Sequence, residues 1–229
     1  MTTVLITGAN KGIGLALTKQ FAAQGDRVMA CCRDPDAATA LQALAGQHAN
    51  VTTHAVQVTD GASVAALAAA VGSTPIDVLI NNAGTAIPAK QSLAEMDYDG
   101  WLEAFSINTL APFRVLQTFR NNLKAGSNAR VVTITSQFGA MSFDVPFVYA
   151  YSATKAAVNK VMRMASLELI KEGITTVIIH PGHVKTDMGG PTGALTPEES
   201  ASGISSVING LTAEQNGSFL TWEGKTHTW

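Results

Sequence analysis

Tyr151 and Lys155 lie four residues apart in Tyr151-Ser152-Ala153-Thr154-Lys155, within a stretch whose spacing reads as helix. Residues at that interval share one helix face, stacked about a turn apart. A phenol and an ammonium are thereby set side by side. A free tyrosine titrates near ~10, too high for efficient proton exchange at neutral pH. An ammonium ~4 Å away, at an effective dielectric of ~20, stabilises the phenolate by roughly 4 kcal/mol, so Lys155 is expected to lower the Tyr151 pKa. Tyr149 is a rival phenol, but the residue four beyond it is Ala153; without a cation in register it reads as a pocket wall. Ser136 closes the strand-like run Thr133-Ile134-Thr135-Ser136, fifteen residues before Tyr151. That is loop enough to bring both hydroxyls to one place.

A second constellation near the amino terminus says what this acid would act beside. Thr3 to Ile6 runs as a strand into Thr7-Gly8-Ala9-Asn10-Lys11-Gly12-Ile13-Gly14, followed by an apolar helical pattern. Glycine lets backbone approach a ligand closely, and the opening helix offers free N–H groups and a positive dipole end to a pyrophosphate. The spacing is G-x-x-x-G-x-G, not the commoner G-x-G-x-x-G dinucleotide fingerprint. At the tip of the second strand, Arg33 can pair with a ribose 2′-phosphate, with Lys11 as a second charge. Asp34 is the competing feature, because an acidic residue here accepts from the 2′-OH of NAD. It precedes Pro35, though, as a helix cap would. NADP(H) is therefore expected over NAD(H).

These residues need a frame that gathers them. Strand-like runs fall at 4–7, 27–32, 51–58, 78–81, 130–135, 175–180 and 218–222, with helical patterns near 12–24, 36–45, 61–72, 97–124, 149–172 and 197–211. Most strands are continuously apolar and β-branched, as when helices cover both sheet faces. Alternation of this kind predicts an α/β fold: a single-domain Rossmann-type, doubly wound parallel sheet of about seven strands. With no internal repeat or linker, residues 1–229 are expected to form that domain, 1–95 mainly holding cofactor and 96–229 carrying catalysis and substrate. Apolar residues along 97–124 and 149–172, among them Phe105, Leu110, Phe113, Leu116, Val158, Val161, Met162 and Leu167, exceed what one sheet face needs. They suggest a homodimer or homotetramer built helix to helix.

Composition narrows the class. A net charge of −2 with no basic block argues against nucleic acid. The only cysteines, adjacent Cys31 and Cys32, give no disulfide framework, which suits a reducing cytoplasm. No basic leader precedes the first strand, and no apolar run is long enough for a membrane span. His180 and His183 lack acidic or cysteine partners nearby, so no metal is expected.

Thr7-Gly8-x-x-x-Gly12-x-Gly14, Asn81-Asn82-Ala83-Gly84, Asn108, Ser136, Tyr151-x-x-x-Lys155 and Pro181-Gly182-x-Val184-x-Thr186 follow one another in an order that resembles the short-chain dehydrogenases/reductases. The resemblance covers the whole chain and is nearest the small carbonyl-reductase and C-factor-like members. It implies Tyr151 as general acid/base and Lys155 on the nicotinamide ribose. Ser136 would orient the carbonyl, and Asn108 would hold a water in a proton relay. It further implies cofactor contacts at Gly8, Asn10, Lys11, Gly12, Ile13, Gly14, Arg33, Gln57, Val58, Asn82, Ala83 and Gly84, and at Pro181, Gly182, Val184 and Thr186. Gln57 stands where many members have an aspartate against adenine. His183 stands where close relatives often have a bulky aromatic.

For the substrate, Phe138, Met141, Phe143, Phe147, Tyr149 and Met188, with His183, surround the catalytic pair in sequence without an arginine cluster. A compact, mostly apolar aldehyde or ketone is the expected partner. The short segment between Gly182 and Thr196, with Gly189, Gly190 and Gly193, is expected to be a mobile lid. Two alternatives are weighed against this enzyme: a nucleotide-sensing regulator without turnover, and a sugar epimerase, whose longer chain is missing.

Overall fold

The apolar, β-branched runs form seven strands, β1 (Thr3–Thr7), β2 (Arg27–Cys32), β3 (Val51–Ala55), β4 (Val78–Asn81), β5 (Arg130–Ile134), β6 (Thr175–His180) and β7 (Phe219–Thr221), in a computed structural model that describes residues 1–229. They lie in the order β3-β2-β1-β4-β5-β6-β7, and every adjacent pair is parallel. Because β1 pairs with both β2 and β4, the chain must cross back over the sheet after β3. That crossing opens a crevice at the carboxyl ends of β1 and β4, where ligands bind in open sheets of this kind.

Helices cover both faces: α1 (Gly12–Ala23), α2 (Thr39–Gln47) and α7 (Pro197–Gly210) on one, α3 (Gly61–Val71), α5 (Ala111–Lys124) and α6 (Tyr149–Leu169) on the other. Alternate strand residues divide between the layers. Val4 and Ile6 pack with Leu17, Phe21, Ile204 and Ile208, whereas Leu5 packs in the layer of Phe119, Val158 and Met162.

Some boundaries differ from expectation. The helix expected at 36–45 starts only at Thr39, because the Asp34 carboxylate accepts from the Ala37 N–H and caps a turn there. The third strand stops at Ala55, and the Gln57 N–H turns to the Ser63 hydroxyl, while Asp60 caps α3. The long helix expected over 97–124 is three pieces: α4 (Tyr98–Phe105), a π-helical turn (Ser106–Leu110) and α5. Pro112 has no N–H to give to the Asn108 carbonyl, so the α-helical ladder cannot pass this point unbroken.

Candidate active site

β5 delivers Ser136 at its carboxyl end, and α6 brings Tyr151 and Lys155 to the same edge. Lys155 is almost fully buried; its ammonium donates to the Ile134 carbonyl at 3.2 Å and lies 5.7 Å from the Tyr151 ring centroid. Part of Tyr151 reaches solvent, but its hydroxyl is enclosed enough that desolvation pushes the pKa up to about 12, with Ser136 pulling the other way. Desolvation also lowers Lys155 to about 8. This reverses the expectation that Lys155 would depress Tyr151. In this state the ammonium faces a carbonyl and the ring, so burial of the phenolate outweighs it. Both groups hold their protons at neutral pH.

Asn108 sits in the π turn, buried beside this pair. Its Oδ1 accepts from the Thr85 N–H at 2.8 Å, and its Nδ2 donates to the Thr85 carbonyl at 2.8 Å and the Thr154 hydroxyl at 3.0 Å. The side chain is thus committed, and only the main-chain carbonyl remains to take the water expected of Asn108.

Across the crevice, Asn82 donates from Nδ2 to the carbonyls of Thr7 and Gly8, both at 3.0 Å, and the Thr7 hydroxyl accepts from the Asn82 and Ala83 N–H groups. A Cβ on Gly14 would sit 2.2 Å from the Gly8 carbonyl oxygen, so only glycine fits. Gly84 lies beside Asn108 and Lys155: a Cβ there would be 3.3 Å from Asn108 Oδ1 and 3.5 Å from Lys155 Nζ. Gly12 has φ +53°, and a Cβ there would lie 3.1 Å from the Thr186 methyl, which closes the cleft from the β6 side.

The amino end of α1 has no side-chain cap, and its first intrahelical bond is Leu15 N–H to the Lys11 carbonyl. The Gly12, Ile13 and Gly14 amides therefore remain free for an anion. Arg33 is exposed and without a protein partner at the end of β2. Free amides, closely packed glycines and an unpaired guanidinium fit a dinucleotide carrying a 2′-phosphate. Lys11 is not the free second cation expected, since it pairs with Asp187 at 2.7 Å. Asn10 flanks the turn, and Gln57 is exposed beyond β3. Val58 belongs to the core, its carbonyl taken by Arg114. Pro181 and Val184 are buried, and the Pro181 carbonyl accepts from Ser200.

On the substrate side, Phe138 meets both Tyr151 and Phe143 edge to face, at 6.1 and 5.5 Å. Beside them is a recess of ≈ 180 Å³ lined by Phe138, Met141, Phe143 and Ala153, with Asp144 as its one charged group. Tyr149 and Met188 are exposed. His183 does not stand free; its Nε2 lies 2.9 Å from the Gly189 carbonyl. The segment after Gly182 is also more tightly built than a mobile lid. Across it the Lys185 N–H donates to the Leu195 carbonyl and the Leu195 N–H to the His183 carbonyl, and Gly189 and Gly193 have no room for a side chain.

Sequence reasoning missed His180, whose Nδ1 accepts from the Gln137 N–H next to Ser136 at 3.2 Å, and Gln91, which reaches the Tyr151 backbone. Neither belongs to a local pattern; each partner lies tens of residues away.

Comparison with known proteins agrees with this geometry. A family model described as short chain dehydrogenase matches residues 2–195. The C-signal protein of Myxococcus xanthus is 39% identical over 165 residues, 72% of this chain and 99% of its own. A 1-hydroxy-2-glutathionyl-2-methyl-3-butene dehydrogenase of a Rhodococcus species is 32% identical over the full length of both chains. Among solved structures, an NADPH-bound carbonyl reductase from chicken fatty liver superposes with a TM-score of 0.93 at 35% identity, covering 100% of this chain and 99% of its own. A Pseudomonas aeruginosa carbonyl reductase in complex with NADP gives 0.90 at 29%, with both chains fully covered.

Proposed function

This chain belongs to the short-chain dehydrogenase family, and within that family of oxidoreductases we propose that it transfers a hydride between NADP(H) and the carbonyl or alcohol carbon of a small, mostly apolar aldehyde or ketone. The observation that carries this reading is Tyr151 grouped with the buried Ser136 and Lys155 at the mouth of a crevice whose other wall offers unpaired amides and Arg33. Similar carbonyl reductases have been crystallised with NADP(H), which supports the same cofactor here.

Bound NADPH would supply the hydride; the protein supplies everything else. The first-turn amides of α1 hold the pyrophosphate, and Arg33 holds the 2′-phosphate. Ser136 orients the carbonyl oxygen by a hydrogen bond. Tyr151 gives that oxygen its proton as negative charge develops there. A phenol held near 12 keeps its proton throughout the physiological range, yet an alkoxide is basic enough to take it, so the resting protonation state suits reduction. Lys155 steadies the phenolate left behind, and a water on the Asn108 carbonyl returns the proton.

The exposed apolar residues Tyr98, Leu102 and Leu110 on one segment and Met164 and Leu167 on α6 support a helix-to-helix subunit contact. Leu116, Val158 and Met162, counted toward that surface from sequence, are instead core residues.

NADPH oxidation with a panel of carbonyls tests the activity. Neutral aromatic and aliphatic aldehydes and ketones should be turned over in preference to phosphorylated or acyl-carrier substrates; the reverse preference would sink the substrate class. The likeness to the C-signal protein, whose name gives no reaction, favours a second reading, cofactor binding without turnover. That reading predicts tight NADPH binding and no oxidation across the panel.

Arg33→Ala tests the cofactor. A charge-assisted hydrogen bond contributes ~1.5–3 kcal/mol, so NADPH affinity should fall about ten- to a hundred-fold while NADH affinity stays near its starting value. Equal losses for both cofactors, measured by titration, would remove the 2′-phosphate from Arg33.

A further inference from the structure

The catalytic helix begins badly. Its N-cap, Val148, is a β-branched residue at φ +59°, ψ +37°, and no side chain of the cap bonds the first turn. A branched residue in the left-handed region is strained, and its persistence means that surrounding structure holds it there. The first intrahelical bond is Ser152 N–H to the Val148 carbonyl, which leaves the Tyr149, Ala150 and Tyr151 amides without helical partners. The Tyr151 amide is taken by a residue sixty positions away: Gln91 Oε1 accepts from it at 3.0 Å.

Gln91 lies on the connection between β4 and α4, and its side chain is fully used. Nε2 donates to the Ala86 carbonyl at 3.1 Å and to the Pro88 carbonyl at 2.6 Å. The same connection contains Thr85, whose N–H and carbonyl both pair with the Asn108 side chain. One loop is therefore fastened to Asn108 at Thr85 and to the backbone of Tyr151 at Gln91. Resting on the reading above, we propose that Gln91 is a positioning residue for Tyr151: it supplies the cap that α6 lacks and sets the height of the phenol against Ser136 and Lys155. A small displacement at a reacting centre lowers rate strongly even when binding survives, which is the signature to look for.

Three variants of the full-length protein separate this role from loop folding. Gln91→Met keeps length and loses every polar contact. Gln91→Glu keeps an acceptor for the Tyr151 amide, favoured further by the helix dipole, but loses both donations to the loop. Ser92→Ala removes two hydrogen bonds internal to the same loop, given to the Glu95 carbonyl and accepted from the Glu95 N–H, and serves as control.

Amide hydrogen exchange of residues 149–152 is read beside kcat, KM and NADPH affinity. In Gln91→Met the Tyr151 amide should exchange about ten- to a hundred-fold faster, and kcat should fall by a similar factor with NADPH affinity unchanged. Gln91→Glu should recover most of kcat, and Ser92→Ala should match wild type. Unchanged exchange in Gln91→Met would overturn the clamp. Faster exchange with unchanged kcat, or equal loss of kcat in the Glu and Met variants, would overturn positioning. If wild type turns over no carbonyl, the functional reading and the positioning role fail together, while exchange still decides whether the clamp exists.

Discussion

Tyr151→Phe is expected to lower kcat by ~10²–10⁴-fold, the usual cost of losing a general acid, while NADPH binding persists. The substitution removes one oxygen and keeps the ring, so the edge-to-face contact with Phe138 and the ring beneath the Lys155 ammonium stay in place. The other hydroxyl nearby, on Ser136, also bonds the Phe138 N–H at 3.2 Å and is too weak an acid to replace a phenol. Steady-state kinetics with NADPH and the best carbonyl of the panel, together with a cofactor titration, make the test. Activity above a tenth of wild type would show that another group delivers the proton. Loss of cofactor binding in parallel would show that the hydroxyl anchors NADPH instead.

Lys155→Met is expected to abolish turnover and yet make the cofactor-free protein more stable. The ammonium is buried with a single hydrogen-bond partner, the Ile134 carbonyl, and its pKa is lowered from 10.5 to about 8. At ~1.4 kcal/mol per pKa unit, keeping it charged at pH 7 costs the fold on the order of 3 kcal/mol. Methionine fills the space of the aliphatic stem without that cost. The pH dependence has a definite sign. Between about 8 and 10.5 the unfolded chain retains a lysine proton that the folded chain has shed, so wild-type stability rises with pH there and the advantage of the variant shrinks. Above about 10 Tyr151 acts the other way: folded, it keeps its proton to about 12, whereas the unfolded phenol loses it from 10, and stability falls. Urea unfolding at a series of pH values would show both slopes. A variant less stable than wild type at pH 7 would mean that the bond to Ile134 outweighs desolvation.

Much of the frame could be read from residue patterns. Runs such as Val131-Val132 and Val177-Ile178-Ile179 are buried on both faces and admit little but a central parallel strand. Where the reading slipped, a nonlocal or subtle competitor had won. Asp34 bonds Ala37 and delays α2; Pro112 withholds one N–H and splits a helix whose apolar spacing runs straight through. In the site, the types and spacing of Ser136, Tyr151 and Lys155 were enough to predict their meeting. Their titration was not, because desolvation depends on what encloses a group and not on its neighbours in sequence. The Lys11–Asp187 pair and the Gln91 contact lay beyond reach for a related reason: each joins exposed or loop residues whose nearness exists only after the sheet has formed.

The sharing of one apolar layer between α1 and α7 also bears on how the chain is made. Leu17 and Phe21 are buried with Ile204, Ile208 and Leu211, and Gln24 reaches Ser205 at 3.1 Å. During synthesis the first βα units can cover only part of the apolar side of this helix, with Val4, Ile6, Val28 and Leu41, and the α7 residues that cover the rest emerge about 180 positions later. Until then the part of the surface that α7 will cover is open to chaperones and to transient, wrong contacts. The amino-terminal third, which holds the glycine turn and Arg33, is thus the earliest part made and among the last to be sealed.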